Sequence, residues 1–238
     1  MYYYLYYALW IILLPGIILG IWAQAKVYST FNKYNNIETQ HGKKAKDVAR
    51  FMLDGGGCID TKIQHINGEL TDNYNPKTNT ISLSSTVYNQ STIGAVGVTA
   101  HEIGHVFQHK NKYGLIKLRT TLVPIINISN FLVWPLIIIG LLCELFAVFT
   151  GADILIYIGI ALYSLETIFC LITLPIELNA SKRAYNMLVA TGEMDTEEAK
   201  GVKEVLNAAA WTYVAALITS VLSLLRLLLY IMAIRRND

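Results

Sequence analysis

The chain has 238 residues, 54% of them hydrophobic and 15% charged, with a net charge of +2. That is too apolar for an ordinary soluble domain, and so small a charge gives no footing for nucleic-acid binding. Three cysteines, Cys58, Cys143 and Cys170, have no CxxC spacing, and two lie in apolar runs, so neither a disulfide framework nor cysteine zinc ligation is expected.

A helix needs about 20 apolar residues to cross a bilayer. The first block of that kind runs from Tyr2 to Trp22. Ala23-Gln24-Ala25 resembles a signal-peptide cleavage site, but the N-terminal flank carries no Lys or Arg, so the block reads as a retained anchor over residues 1–23. Tyr2, Tyr3, Tyr4, Tyr6 and Tyr7 suit an aromatic belt at the interface. Residues 24–120 are polar and mixed, the one stretch long enough for an extramembrane domain. Thr39 is a candidate cap for a helix through Val48, Ala49, Met52 and Leu53 that ends at Gly55-Gly56-Gly57. Strands fit Ile59–Ile66 and Leu70–Tyr74, with Asn67-Gly68 as a two-residue hairpin turn. Asn75-Pro76-Lys77-Thr78-Asn79 reads as a second turn before a strand at Thr80–Leu83.

Ser91 or Thr92 can cap the next helix, which carries HEIGH at positions 101–105. Residues i and i+4 share a helix face, so His101 and His105 can reach one metal ion, with Glu102 placed to act as a general base on water. The plain alternative is a helix with two solvent-facing histidines. A catalytic zinc site has three protein ligands and an open position. The positions where a metzincin has Gly and His hold Gln108 and Asn111, which excludes that class. His109 lies one turn past His105, and three ligands in a row on a straight helix cannot surround a metal tetrahedrally; it reads as a supporting or surface residue.

Apolar blocks follow at about 122–149 and 154–176, with Glu177 at the end of the second, in PIELNASKRA. Glu177 begins an E-x-x-A spacing that gluzincin-type membrane peptidases use for a glutamate ligand; a carboxylate solvated at a helix end fits the same position. A polar segment, 177–207, then leads into a last apolar block from about Ala208 to Ile234 and the tail, 208–238.

LTDNYNPKTNTISLSSTVYN, running into VGVTAHEIGHVFQH, resembles the membrane zinc metallopeptidases of the YugP type, and PIELNASKRA resembles their second motif. The resemblance covers nearly the whole chain. It implies a membrane peptidase with one zinc per chain, His101, His105 and Glu177 as ligands, and Glu102 as catalytic base. Two positions depart from the pattern: Asn179 stands where the family usually has aspartate, and Ser181 where related membrane gluzincins have the aspartate of ExxAD. Either would have to orient a histidine by a neutral hydrogen bond.

The expected fold is therefore a mainly α membrane protein. It has about four transmembrane helices and a small α+β peptidase domain at the membrane surface: helix, short hairpin strands, HExxH helix. If Glu177 meets the histidines, segments 24–120 and 177–207 share one side, and 121–176 forms a helical hairpin turning at Thr150-Gly151-Ala152-Asp153. Lys26, Lys33, Lys110, Lys112, Lys117, Arg119, Lys182 and Arg183 flank the site, against Arg235 and Arg236 opposite. The positive-inside rule then points to the cytoplasmic face of a prokaryotic plasma membrane. Within the apolar blocks, Glu144 and Arg226 are an expected pair, and Glu166 reads as a neutral acid bonded to a neighbouring helix, with a polar path to the site as the alternative. The expected partners are the bilayer and a protein or peptide substrate, with Thr80–Leu83 as an edge strand for an extended chain and Tyr185, Arg183 or Tyr88 as oxyanion donor.

Two rival readings use the same residues. Leu53-Asp54-Gly55 matches the LDG ligand motif of site-2-type intramembrane proteases by letters, but it precedes HExxH and lies in polar sequence. A non-enzymatic membrane scaffold or chaperone could keep zinc for structure, though a structural site has no use for Glu102.

Overall fold

The computed structural model describes residues 10–146, 151, 153–192 and 194–235. Six helices and three strands follow one another: α1 (Leu14–Asn35), α2 (Ala45–Gly55), β1 (Lys62–Ile66), β2 (Asn73–Asn75), β3 (Thr80–Ser84), α3 (Ile93–Lys110), α4 (Gly114–Leu145), α5 (Asp153–Ala190) and α6 (Thr196–Arg235). The chain divides into two units. One takes Met1–Ile21, Leu118–Leu174 and Tyr213–Asp238; the other takes Trp22–Lys117 and Pro175–Thr212.

Among the described residues, three helical stretches are long and apolar enough to cross a membrane: Gly114–Cys143, Ile154–Ala190 and Thr196–Leu229. The fourth expected span, over Tyr2–Trp22, is not one of them. A turn at Ile12-Leu13 interrupts it, and Pro15, which has no N–H to donate, sits in the first turn of the helix that follows. Among the described residues, Leu14–Trp22 is the apolar helix that follows this turn, short of the about 20 residues a span needs. The expected tyrosine belt, Arg236 and residues 150 and 152 of the turn at 150–153 lie outside the described residues.

In the first unit, Val133 and Ile137 of α4, Ile156 of α5, and Leu227 and Ile231 of α6 form the core. Small residues let these helices close up: a Cβ on Gly140 would press on Ile156, and one on Gly159 on Ile137. Large apolar side chains such as Ile128, Phe131 and Ile154 face outward, the pattern of a surface solvated by lipid. Glu166 accepts from Asn130 Nδ2 at 3.3 Å, so its bond to the neighbouring helix is as expected. Arg226 instead lies over the ring of Trp10, 4.2 Å from its centroid, and the Glu144 side chain lies outside the described residues.

In the second unit, α2, β3 and α3 pack around Val48, Met52, Leu53, Ile81, Leu83, Val96 and Ile103, with Ala184 and Leu188 of α5 and Val202 and Leu206 of α6. The sheet order is β1-β3-β2. β1 runs parallel to β3, Lys62 opposite Thr80, and β2 antiparallel to it, Asn75 opposite Thr80. This corrects two expectations. Asn67-Gly68 does not join neighbouring strands; the chain goes on to Asp72, whose carboxylate accepts from Ser84 N at 2.7 Å and Ser84 Oγ at 2.9 Å, and only then begins β2. The hairpin is β2–β3, across the Asn75–Asn79 turn, where Asn75 Oδ1 accepts from Lys77 N at 3.0 Å and Asn79 takes φ +48°. β3 is therefore the central strand with all five residues buried, and it has no edge to offer a substrate.

Thr92 caps α3, its Oγ1 accepting from Ala95 N at 3.3 Å and donating to Asn35 Oδ1 at 2.6 Å. Thr39 caps nothing; its N–H and hydroxyl both donate to Ser91 O, at 2.8 and 2.9 Å. The first amides of α2 are satisfied instead by backbone carbonyls, Ala45 N on Gln90 O at 2.7 Å and Lys46 N on Tyr88 O at 3.3 Å.

Gly94, Gly97 and Gly104 lie along α3 in unlike surroundings. A Cβ on Gly97 would touch the Val202 side chain at an ordinary 3.5 Å, whereas one on Gly104 would fall on the backbone carbonyl of Ala180 in α5. Replacing Gly97 by Ala should therefore be neutral or stabilising, by at most about 1 kcal/mol from helix propensity. Gly104→Ala should lower the thermal midpoint. Thermal unfolding of the two variants side by side in detergent checks this, and equal midpoints would contradict it.

Candidate metal centre

The crossing of α3 over α5 brings the two sequence motifs together. Gly104 of HEIGH meets Ala180, itself fully buried, and neither offers a side chain that would hold the backbones apart. Residues 176, 177, 180 and 184 of α5 are all buried, the i, i+1, i+4 and i+8 pattern of a helix face pressed on a partner. Glu177, on this face, is 2% exposed.

Its carboxylate lies between the two imidazoles. Glu177 Oε2 is 3.1 Å from His101 Nε2 and 3.3 Å from His105 Nε2, and the rings are set edge to face, 4.8 Å between centroids. These three donors lie within 4.8 Å of one another. Zinc bound tetrahedrally at about 2.0–2.1 Å keeps neighbouring donor atoms about 3.3 Å apart. The two carboxylate-to-imidazole spacings, 3.1 and 3.3 Å, match that value, and two neutral-capable nitrogens with one carboxylate oxygen are a donor set that suits zinc.

Each imidazole is also held from behind. His101 Nδ1 is 3.1 Å from Ser181 Oγ, one turn beyond Glu177 on α5. His105 Nδ1 is 3.0 Å from Gln108 Oε1, three residues along α3. Gln108 is fully buried and donates from Nε2 to Ile176 O at 2.7 Å and to Asn179 Oδ1 at 3.1 Å. Arg183 Nε donates to the same Asn179 oxygen at 2.7 Å. Bonds of this kind fix the rotation and tautomer of a metal-ligating imidazole.

Glu102 is 9% exposed, on α3 beside His101. Burial pushes its carboxyl above the ordinary range, while His101 and His105 pull it back.

The other candidates lie elsewhere. The His109 ring meets Tyr74 of β2 at 5.6 Å, outside the donor cluster. Asp54 pairs with Arg50 at 2.7 Å at the end of α2 and is not among the clustered donors. Tyr88 faces His65 and Lys46, and Tyr185 faces Lys203. Of the three oxyanion candidates, Arg183 alone joins the hydrogen-bond network behind the histidines. Gln108 is the residue that sequence reasoning missed. It was visible as a polar side chain three residues from His105, on the same face of an otherwise apolar helix.

One curated relative, "Putative membrane protease YugP" of Bacillus subtilis (strain 168), is 41% identical over 208 residues, covering 87% of this chain and 89% of its own. No solved structure matches the chain. Residues 9–232 match the family described as "Putative neutral zinc metallopeptidase", and with nearly its whole length inside that match the chain belongs to this family.

Proposed function

We propose that this protein is a membrane-embedded zinc-dependent peptidase, with His101, His105 and Glu177 as metal ligands and Glu102 as general base. The observation that carries the reading is the convergence of Glu177 Oε2 on both Nε2 atoms, 3.1 and 3.3 Å away, from a different helix. Family membership and the relative's name support it. Zinc, when bound, supplies a Lewis acid that polarises the scissile carbonyl and lowers the pKa of water. Glu102 takes the proton from the attacking water and passes it to the leaving amine. Glu177 would offset the charge of the metal and closes the site from the α5 side. The sheet has two open edges, β1 and β2, and β2 packs on α3 through Tyr74 and His109. An extended protein or peptide substrate pairs with the outer edge of β2 and so lies along the zinc helix.

Segments 121–176 and 208–234 are the membrane part, and 24–120 with 177–207 the peptidase domain, on the cytoplasmic face. The excess of Lys and Arg flanking the site supports that side.

The full-length protein purified in detergent should hold close to one zinc per chain, and Glu177→Ala should lose it. Glu102→Gln should keep the metal while peptide hydrolysis falls by about 10²–10⁴-fold. Full zinc in Glu177→Ala would remove Glu177 from the site, and full hydrolysis by Glu102→Gln would remove the base.

Zinc should also raise the thermal midpoint of the chelator-stripped wild type, because a ligand that binds only the folded state stabilises it by mass action. It should leave Glu177→Ala unmoved. An equal shift in both would mean that the ion binds elsewhere.

Orientation has its own measurement. In intact cells, a cysteine placed at Lys77, in the β2–β3 turn, should resist a membrane-impermeant thiol reagent and react after lysis. Labelling in intact cells would put the domain outside.

A further inference from the structure

The hydrogen bonds behind His105 have a direction that their chemistry dictates. Arginine has donors only. Arg183 Nε lies 2.7 Å from the Asn179 side chain, so the atom facing it must be the oxygen. The same oxygen faces Gln108 at 3.1 Å, which makes that atom of Gln108 the NH₂ group. Ile176 O, an acceptor only, lies 2.7 Å from the same nitrogen and requires the same assignment independently. Gln108 therefore turns its carbonyl oxygen to His105 Nδ1, 3.0 Å away, and a carbonyl can only accept. His105 must carry its hydrogen on Nδ1, which leaves the Nε2 lone pair facing Glu177 Oε2 and the ligand position. Gln108 is fully buried, so water does not compete for it.

We propose that Gln108, oriented by Ile176, Asn179 and Arg183, is a positioning residue that holds His105 in the one tautomer able to ligate a metal through Nε2. The proposal rests on the zinc site proposed above. It gives Asn179 a defined task as a neutral acceptor: it takes two donors at once, one from each helix. It also divides the work along α5, where Ser181 serves His101 and the Asn179–Arg183 pair serves His105 through Gln108.

The test is zinc affinity of the full-length protein in detergent, measured by competition with a chromophoric chelator. Gln108→Met keeps length and volume and removes the acceptor; it should bind zinc about 10–100-fold more weakly than wild type. Gln108→Glu, protonated on the oxygen that faces Ile176 O, keeps both the donor there and a carbonyl oxygen facing Nδ1, and should recover most of that loss. A packing role ranks the two the other way, because Met fills the site without a polar group and Glu does not. Wild-type affinity in Gln108→Met, or weaker binding in Gln108→Glu than in Gln108→Met, overturns the proposal. If the Gln108 variants do not fold, as read by helical circular dichroism, half-buried Asn179 decides. Asn179→Asp should hold zinc as wild type does and Asn179→Leu less tightly; equal binding by both overturns it. Failure of the wild type itself to bind zinc would refute the zinc site, a result distinct from any ranking of these variants.

Discussion

Everything at the candidate centre depends on how closely two helices approach. The α3 backbone at Gly104 lies against the α5 backbone at Ala180, with no room for even a methyl group on the glycine. A side chain at position 104 would push α5 outward, and Glu177, one turn before Ala180, would move with it. Ligand sites tolerate errors of about half an ångström. The glycine costs helix propensity, about 1 kcal/mol against alanine, and that cost is offset by the packing of residues 176, 177, 180 and 184. Glycine in HEIGH and alanine in the ExxA spacing thus serve the same crossing from its two sides.

That crossing buries polar groups that would be costly alone. Glu177 is 2% exposed, and the side chains of His101 and His105 are 14% and 12% exposed. A buried carboxylate is tolerated only when charge and hydrogen bonds compensate it. Two imidazoles supply this in part, and a divalent cation would do so more fully, which is why the cluster is poised for one. The surrounding network is arranged to match: Gln108, Asn179 and Arg183 bond one another in series, and Gln108 and Ser181 hold the two rings from behind.

Much of this was legible in the sequence where one helix carries the information. The i, i+4 spacing of His101 and His105 placed them on one face, Thr92 capped their helix, and the switch from apolar to polar at Glu177 marked a second motif. The sheet was less legible, because Asn67-Gly68 has the composition of a hairpin turn but is followed by Asp72, whose bonds to Ser84 carry the chain past β3 to its far side. No local pattern announces a bond between residues twelve apart. In the N-terminal block, a window of hydropathy does not register the turn at Ile12-Leu13, or that Pro15 cannot donate a backbone hydrogen bond. Thr39 had the chemistry of a cap and spent it on Ser91, a choice set by the contact between α1's exit and the start of α3.

The segment from Ile176 to Arg183 shows why the second motif extends beyond ExxA. Ile176 offers a carbonyl to Gln108, Glu177 faces both histidines, Asn179 accepts from Gln108 and Arg183, Ala180 admits Gly104, and Ser181 meets His101. Leu178 and Lys182, on the outer face, are exposed and take no part. The helical period thus sorts eight consecutive residues into those that build the centre and those that face away. It also explains how neutral Asn179 and Ser181 can stand where related sequences carry aspartate. What each imidazole needs at Nδ1 is an acceptor, and the Gln108 carbonyl, oriented through Asn179 and Arg183, and the Ser181 hydroxyl can provide it without a further negative charge in a buried site that already holds Glu102 and Glu177.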